Sequence, residues 1–196
     1  MSIEILRTLV WLDYRLAVLL TVFVPLTLTV WAVFKKADAI THLLMIYWRV
    51  SSLLAITVYL MIAEIRIAFL TGTFALILIP AALWFWVDLN EEIADRRDSL
   101  KIGVTAWRWA ITIYSLLGLA LQLPYINCGF SNEVFKAANC QVWLDAPLLF
   151  QQMFHAGLKP ATLGFYASGA LMLYTFYFGY FLLLKFPKQG RSATGM

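Results

Sequence analysis

The nineteen residues from Leu16 to Phe34 carry no ionisable group and are bounded by Arg15 before them and by Lys35 and Lys36 after them. Such a run supplies the ~20 apolar residues a helix needs to cross the hydrocarbon layer of a bilayer. Four more runs follow, over residues 43–63, 67–87, 102–123 and 161–184. They predict an all-α fold, a polytopic membrane helical bundle of about five transmembrane helices in one membrane domain, with short interfacial helices outside it. Composition leaves no room for a second, water-soluble core. Of 196 residues, 62% are hydrophobic and 13% charged, where a soluble domain has ~45–50% and ~25%. The formal net charge of +4 implies no nucleic-acid partner, because in a membrane protein the placement of lysine and arginine carries the information.

Pro25 lies in the middle of the first run. A membrane helix tolerates it because neighbours can take up the carbonyl it frees, and a kink is expected there. Only Glu64, Ile65 and Arg66 separate the second and third runs. Backbone polar groups cannot lie bare in hydrocarbon, so this stretch reads as a tight hairpin turning at the surface, with one long tilted helix as the alternative. Residues 88–101, DLNEEIADRRDSLK, hold five acids and three bases in fourteen residues and read as a solvated loop. Residues 124–160 form a second loop, of thirty-seven residues, between the last two spans.

Five spans put the termini on opposite sides. One side then carries Arg7, Arg15, Arg66, Lys136 and Lys159. The other carries Lys35, Lys36, Arg96, Arg97, Lys101, Lys185, Lys188 and Arg191, with Arg49 and Arg108 just inside the membrane. By the positive-inside tendency, the amino terminus faces outside, while the 88–101 loop and the carboxyl terminus are cytoplasmic. Cys128 and Cys140 both fall in the outer loop, where the compartment permits a disulfide, and closing that loop would stabilise it by roughly 3 kcal/mol. Two unpaired buried thiols are the alternative. Ala37-Asp38-Ala39 has the look of a signal-peptide cleavage site, but the apolar stretch is too long and Lys35-Lys36 sits where neutral residues belong, so no cleavage is expected there.

Arg49 and Arg108 are the residues most out of place. Each follows a tryptophan, Trp48 and Trp107, and each enters the membrane from the cytoplasmic side. An intramembrane charge costs ~2.5–3.5 kcal/mol on insertion scales and is a functional pointer by default. Two readings stand: snorkelling to lipid phosphate with the tryptophans marking the interface, or pairing with Asp88, Glu91, Glu92 or anionic lipid head groups. His42, at the cytoplasmic entrance of the second span, and His155, in the outer loop, are candidate single ligands of a pigment magnesium, although each reads as readily as an ordinary hydrogen-bonding residue. Their opposite sides forbid a shared haem or redox metal. Neither HExxH, a phosphate-binding glycine loop nor a nucleophile elbow occurs, so no catalytic residue and no metal site is assigned and the chain reads as a non-enzyme. Acids or bases near the midplane, which an ion path needs, are missing from the first, third and fifth runs.

In the fifth span Gly164, Ser168, Thr175 and Gly179 fall at spacings of four, seven and four, a small-residue face that lets another helix approach closely. Packing within the bundle would use that face as well as a partner would. Aromatic residues surround it. Two amphipathic pieces are expected to lie flat on the outer surface: residues 1–15, with Ile3, Leu6, Val10 and Trp11 on one face, and the segment opened by Asp145-Ala146-Pro147.

Trp11-Leu12-Asp13-Tyr14-Arg15-Leu16-Ala17-Val18, Tyr47-Trp48-Arg49, Phe85-Trp86-Val87-Asp88-Leu89-Asn90-Glu91-Glu92-Ile93, Thr105-Ala106-Trp107-Arg108-Trp109 and the Lys188-Gln189-Gly190-Arg191-Ser192 tail resemble a family of cyanobacterial multi-pass membrane proteins with no established activity. The resemblance covers nearly the whole chain. It implies an oxygenic phototroph and its thylakoid membrane, where outside means lumen, and it transfers no catalytic residue. Two functions are carried forward. The first is a non-catalytic auxiliary subunit or assembly factor of a photosynthetic or respiratory membrane complex, in contact with membrane lipids and with bound chlorophyll or carotenoid optional. The second is a small-molecule transporter or lipid-modifying membrane enzyme with a polar-lined pocket near Arg49 and Arg108.

Overall fold

A computed structural model describes residues 2–189 and 191–193, and every regular element among them is helical. Gly190 of the tail motif lies outside the described residues. The long helices are α1 (Ile3–Phe34), α2 (Asp38–Ile62), α3 (Ala68–Trp84), α4 (Val87–Asp95), α5 (Ser99–Gln122), α6 (Asp145–Phe154) and α7 (Pro160–Tyr180), the last prolonged by a π-helical turn, Phe181–Lys185. Four helices are long and apolar enough to cross a membrane, or five when α3 and α4, bent by 58° at their junction, count as one broken span.

α2 is the centre of the bundle: α3, α7 and the second half of α1 pack along it, and α5 closes the far side against α3 and α1. Leu43, Leu44, Tyr47, Ile79, Leu83, Leu100, Val104 and Ile111 meet in one core with less than 2% exposure apiece. The α2–α3 hairpin turns at Glu64, whose φ of 55° gives the chain the left-handed residue that a reversal in three residues requires.

Pro25 has no N–H to give to Thr21, four residues back. The chain answers with a π-helical stretch, Val18–Phe23, and with neighbours: Tyr47 donates its hydroxyl to Thr21 O at 2.7 Å, and Trp107 Nε1 donates to Leu20 O at 2.8 Å. The freed carbonyls thus become the sites to which α2 and α5 are fastened.

Two expectations need correction. The amphipathic start of the chain does not turn to lie flat as a separate piece; residues 3–15 continue straight into the first helix, and Leu6 and Val10 are buried against Leu60, Phe69 and Trp143. The middle of the apolar stripe, Leu6 and Val10, thus faces protein, while Ile3 stays exposed. Residues 88–101 are not simply a solvated loop. Most of them form α4, because Leu89 and Ile93, four apart on one helical face, sink into the core against α2 while Glu91 and Glu92 stay in solvent.

Residues 124–160 fold into short helical turns and α6, a cap over one end of the bundle. Cys128 and Cys140 are joined by a disulfide with Cα atoms 6.0 Å apart, and both sulfur-bearing side chains are buried with Phe135, Trp143 and Leu6. Tyr14 donates to Trp143 O at 3.2 Å, and Arg7 pairs with Asp145 at 3.1 Å, so the beginning of α1 is sewn into the cap.

Candidate functional site

Arg49 stands eleven residues into α2 and Arg108 nine residues into α5, about 16 Å and 14 Å along their axes. Both are deeper than the apolar runs imply, because α2 begins at Asp38 and α5 at Ser99, ahead of the hydrophobic stretches at residues 43 and 102. Their surroundings are opposite in kind.

Arg108 is 4% exposed. Its Nη2 donates to Leu83 O and to Asn90 Oδ1, both at 2.8 Å, and its guanidinium carbon lies 4.1 Å from the centre of the Trp84 ring. The cause is local. α3 ends at Trp84, so its last carbonyls lack intrahelical partners, and the Val87 N–H that would have served Leu83 bonds instead to Arg191 O at 3.2 Å. Arg108 fills the vacancy with a cation at the negative end of a helix. It holds the α3–α4 elbow closed.

Arg49 is exposed. Its hydrogen bond among the described residues runs from Nη1 to Tyr177 Oη, and at 3.4 Å it is long. The side chain borders a groove of about 190 Å³ between α2, α3 and α7, whose walls include Leu78, Ala82, Phe85, Tyr174, Phe178 and Phe181. Those walls are hydrocarbon and aromatic ring rather than polar. Arg108 is not on them, so the structure does not bring the two arginines to one pocket.

The partners expected for them sit elsewhere. Asp88 accepts from Ala193 N at 2.8 Å and from the Ser192 hydroxyl at 3.0 Å, fastening residues 191–193 to the elbow. Glu91 and Glu92 are exposed. Trp48 and Trp107 are engaged within the bundle: Trp48 Nε1 donates to Thr29 Oγ1 at 3.0 Å, and Trp107, 3% exposed, reaches Leu20 O across the core. His42 lies half-buried on α2, and His155 Nε2 is 3.4 Å from the Tyr59 hydroxyl in a cluster with the Phe150 ring. The described residues gather no group of three metal-ligating side chains.

The small-residue face of α7 divides. At Gly164 the helix meets Ala63 so closely that a Cβ would overlap it, whereas Gly179 has open space. Ser168 and Thr175, both exposed, line a shallow groove with Leu60 and Met172. Beyond them α7 turns an aromatic row outward, with Phe165, Tyr166, Phe176, Tyr177 and Tyr180 each more than half exposed. Asn90 and Tyr177, the residues that actually receive the two arginines, carry no signal in the sequence, since an amide and a phenol on separate helices are paired only by the fold.

The fold and this site define a polytopic helical membrane protein in which one buried arginine clasps an elbow and another faces outward from the side of a spanning helix. The chain belongs to the family described as Protein of unknown function (DUF3177), which matches residues 7–194. No curated protein matches it, and neither does any solved structure.

Proposed function

We propose that this protein is a non-catalytic auxiliary subunit or assembly factor that docks on a larger photosynthetic or respiratory membrane complex through α7 and the groove beside Arg49. The observation that carries the reading is Arg49 itself. A guanidinium nearly halfway along a spanning helix, exposed and holding one long hydrogen bond, keeps donors that hydrocarbon cannot satisfy. A carbonyl or carboxylate on a neighbouring helix, or on a pigment seated against the aromatic walls, satisfies them. Bound chlorophyll or carotenoid is an optional part of this reading.

The thylakoid setting rests on the resemblance to cyanobacterial membrane proteins. The orientation, with a lumenal amino terminus and a cytoplasmic carboxyl terminus, is supported by the lysine and arginine bias and by the disulfide in the cap. Gentle affinity purification from native membranes, with protein and pigment identification of what accompanies the chain, tests the proposal. Co-migration with a large complex is expected. Recovery solely as a small free species would overturn it.

A further inference from the structure

On the other side of α2 lies a larger cavity, of about 390 Å³, bordered by α1, α2, α3 and α5. Its size is within the ~300–1,000 Å³ of small-molecule sites. The opening follows from how α1 meets α2. From Val24 onward the two helices pack, and Tyr47 fastens Thr21 O to α2; on the other flank of that bond the exposed edge of the π-helical stretch lines the cavity. Contact resumes above, where the Tyr14 hydroxyl lies 2.9 Å from Met61 Sδ. Between these two seams the exposed residues Val18, Val22, Ser52 and Ala55 frame a side window on the face where lipid would lie.

Inside, the exposed wall is mostly apolar; Thr21, Ser51 and Ser52 line one end, and Asp13, Tyr114, Gln122 and Thr57 lie toward the other. Asp13 and Tyr114 of α5 both line that end, and Asp13 packs against Gly118. Among the described residues no cation forms an ion pair with it. Gln122 and Thr57 are tied to backbone or to each other's neighbours: Gln122 Nε2 donates to Phe69 O at 3.0 Å, and Thr57 shares a hydrogen bond with Thr71 at 2.8 Å. Trp143 closes the same end, 3% exposed, and its indole N–H has no partner among the described residues. A carboxyl group without a cation, set in the wall of an intramembrane cavity, is a site for a ligand's donor by the same logic that makes buried charges functional.

We infer that this cavity binds an uncharged, lipid-soluble molecule with one hydroxyl- or phenol-type head group, which enters sideways between α1 and α2, donates a hydrogen bond to Asp13 and lays its chain along Val18, Val22, Leu54 and Val58. The apolar wall selects an amphiphile over an ion or a sugar-like solute. The site is distinct from the Arg49 groove and independent of any docking there.

The test uses the full chain in phospholipid nanodiscs and a photoactivatable, alkyne-tagged hexadecanol, with mass-spectrometric mapping of the adducts. Saturable labelling on residues 18–22 and 51–58, competed by plain hexadecanol, is expected. Asp13→Leu should cut labelling about fivefold, the loss of roughly one net hydrogen bond, and Ala55→Trp should block the window at unchanged melting temperature. Leu117→Trp, on the exposed side of α5, should change nothing. Labelling that does not saturate, or that ignores Ala55→Trp, would overturn the inference. So would equal labelling of these residues by a photoactivatable phosphatidylcholine, which would make the cavity an ordinary lipid-chain site.

Discussion

The two Trp-Arg pairs are alike in sequence and unlike in the fold, and their substitutions should separate them. Arg108→Leu strips the donor from the buried Leu83 O, at ~1–3 kcal/mol, and from the half-buried Asn90 Oδ1, so the detergent-solubilised protein should melt several degrees lower. Arg49→Leu removes an exposed group and should leave melting unchanged; under the proposed docking role it should also release the chain from its larger complex, read by native electrophoresis. If both variants stay associated and equally stable, Arg49 is a snorkelling residue. The arginines could be found by spacing and their fates could not, because the vacancy at Leu83 arises from where α3 stops and from a hydrogen bond given to Arg191. At the start of α5, Asp98 caps the helix through the Lys101 N–H, and the Arg96 hydrogen bond holds its carboxyl below the usual range. A lowered folded-state value adds stability above the unfolded value of ~3.9, and that stability is lost as pH falls through the folded one. Fraying of the first turn of α5 in acid, followed by hydrogen exchange at Lys101, should therefore disappear in Asp98→Asn.

Helix existence was readable from hydropathy alone, since an uncharged run of twenty residues has few other destinies. Helix ends were not. α4 hides in a stretch whose charges announce a loop, and only the pair Leu89 and Ile93, both under 3% exposed, shows the turn-by-turn burial that keeps it helical. The first fifteen residues were legible as amphipathic but not as to what their apolar stripe would meet, because the cap that receives it is built more than a hundred residues later. For α7 the small-residue face was visible, and the fold uses one end of it. Gly164→Ala puts a methyl into Ala63 and should push α7 off α2, costing ~1–3 kcal/mol as an overpacked contact and lowering the melting temperature. Gly179→Ala meets nothing and should be neutral or gain up to ~1 kcal/mol of helix propensity.

At the scale of the whole molecule, the bundle has a stitched end and an open side. The stitched end is the cap, where the disulfide, the Tyr14 hydrogen bond and the Arg7–Asp145 pair converge. The exposed ion pair contributes ~0–1 kcal/mol, whereas the covalent link closes a loop that should be worth roughly 3 kcal/mol. Cys128→Ser with Cys140→Ser should lower the melting temperature by more than Arg7→Ala does, and reductant should do the same to the native chain. The open side is α7, whose outer surface meets no other helix among the described residues.

That helix is nonetheless tethered twice. Near its start it crosses α2 at Gly164 and Ala63; past its end, residues 191–193 are knotted to Val87 and Asp88 at the bend between α3 and α4. α7 is thus held where it crosses α2, and the segment that follows it is bonded at the elbow. A force applied to its outer surface, by whatever grips it, is delivered to the elbow that Arg108 keeps shut.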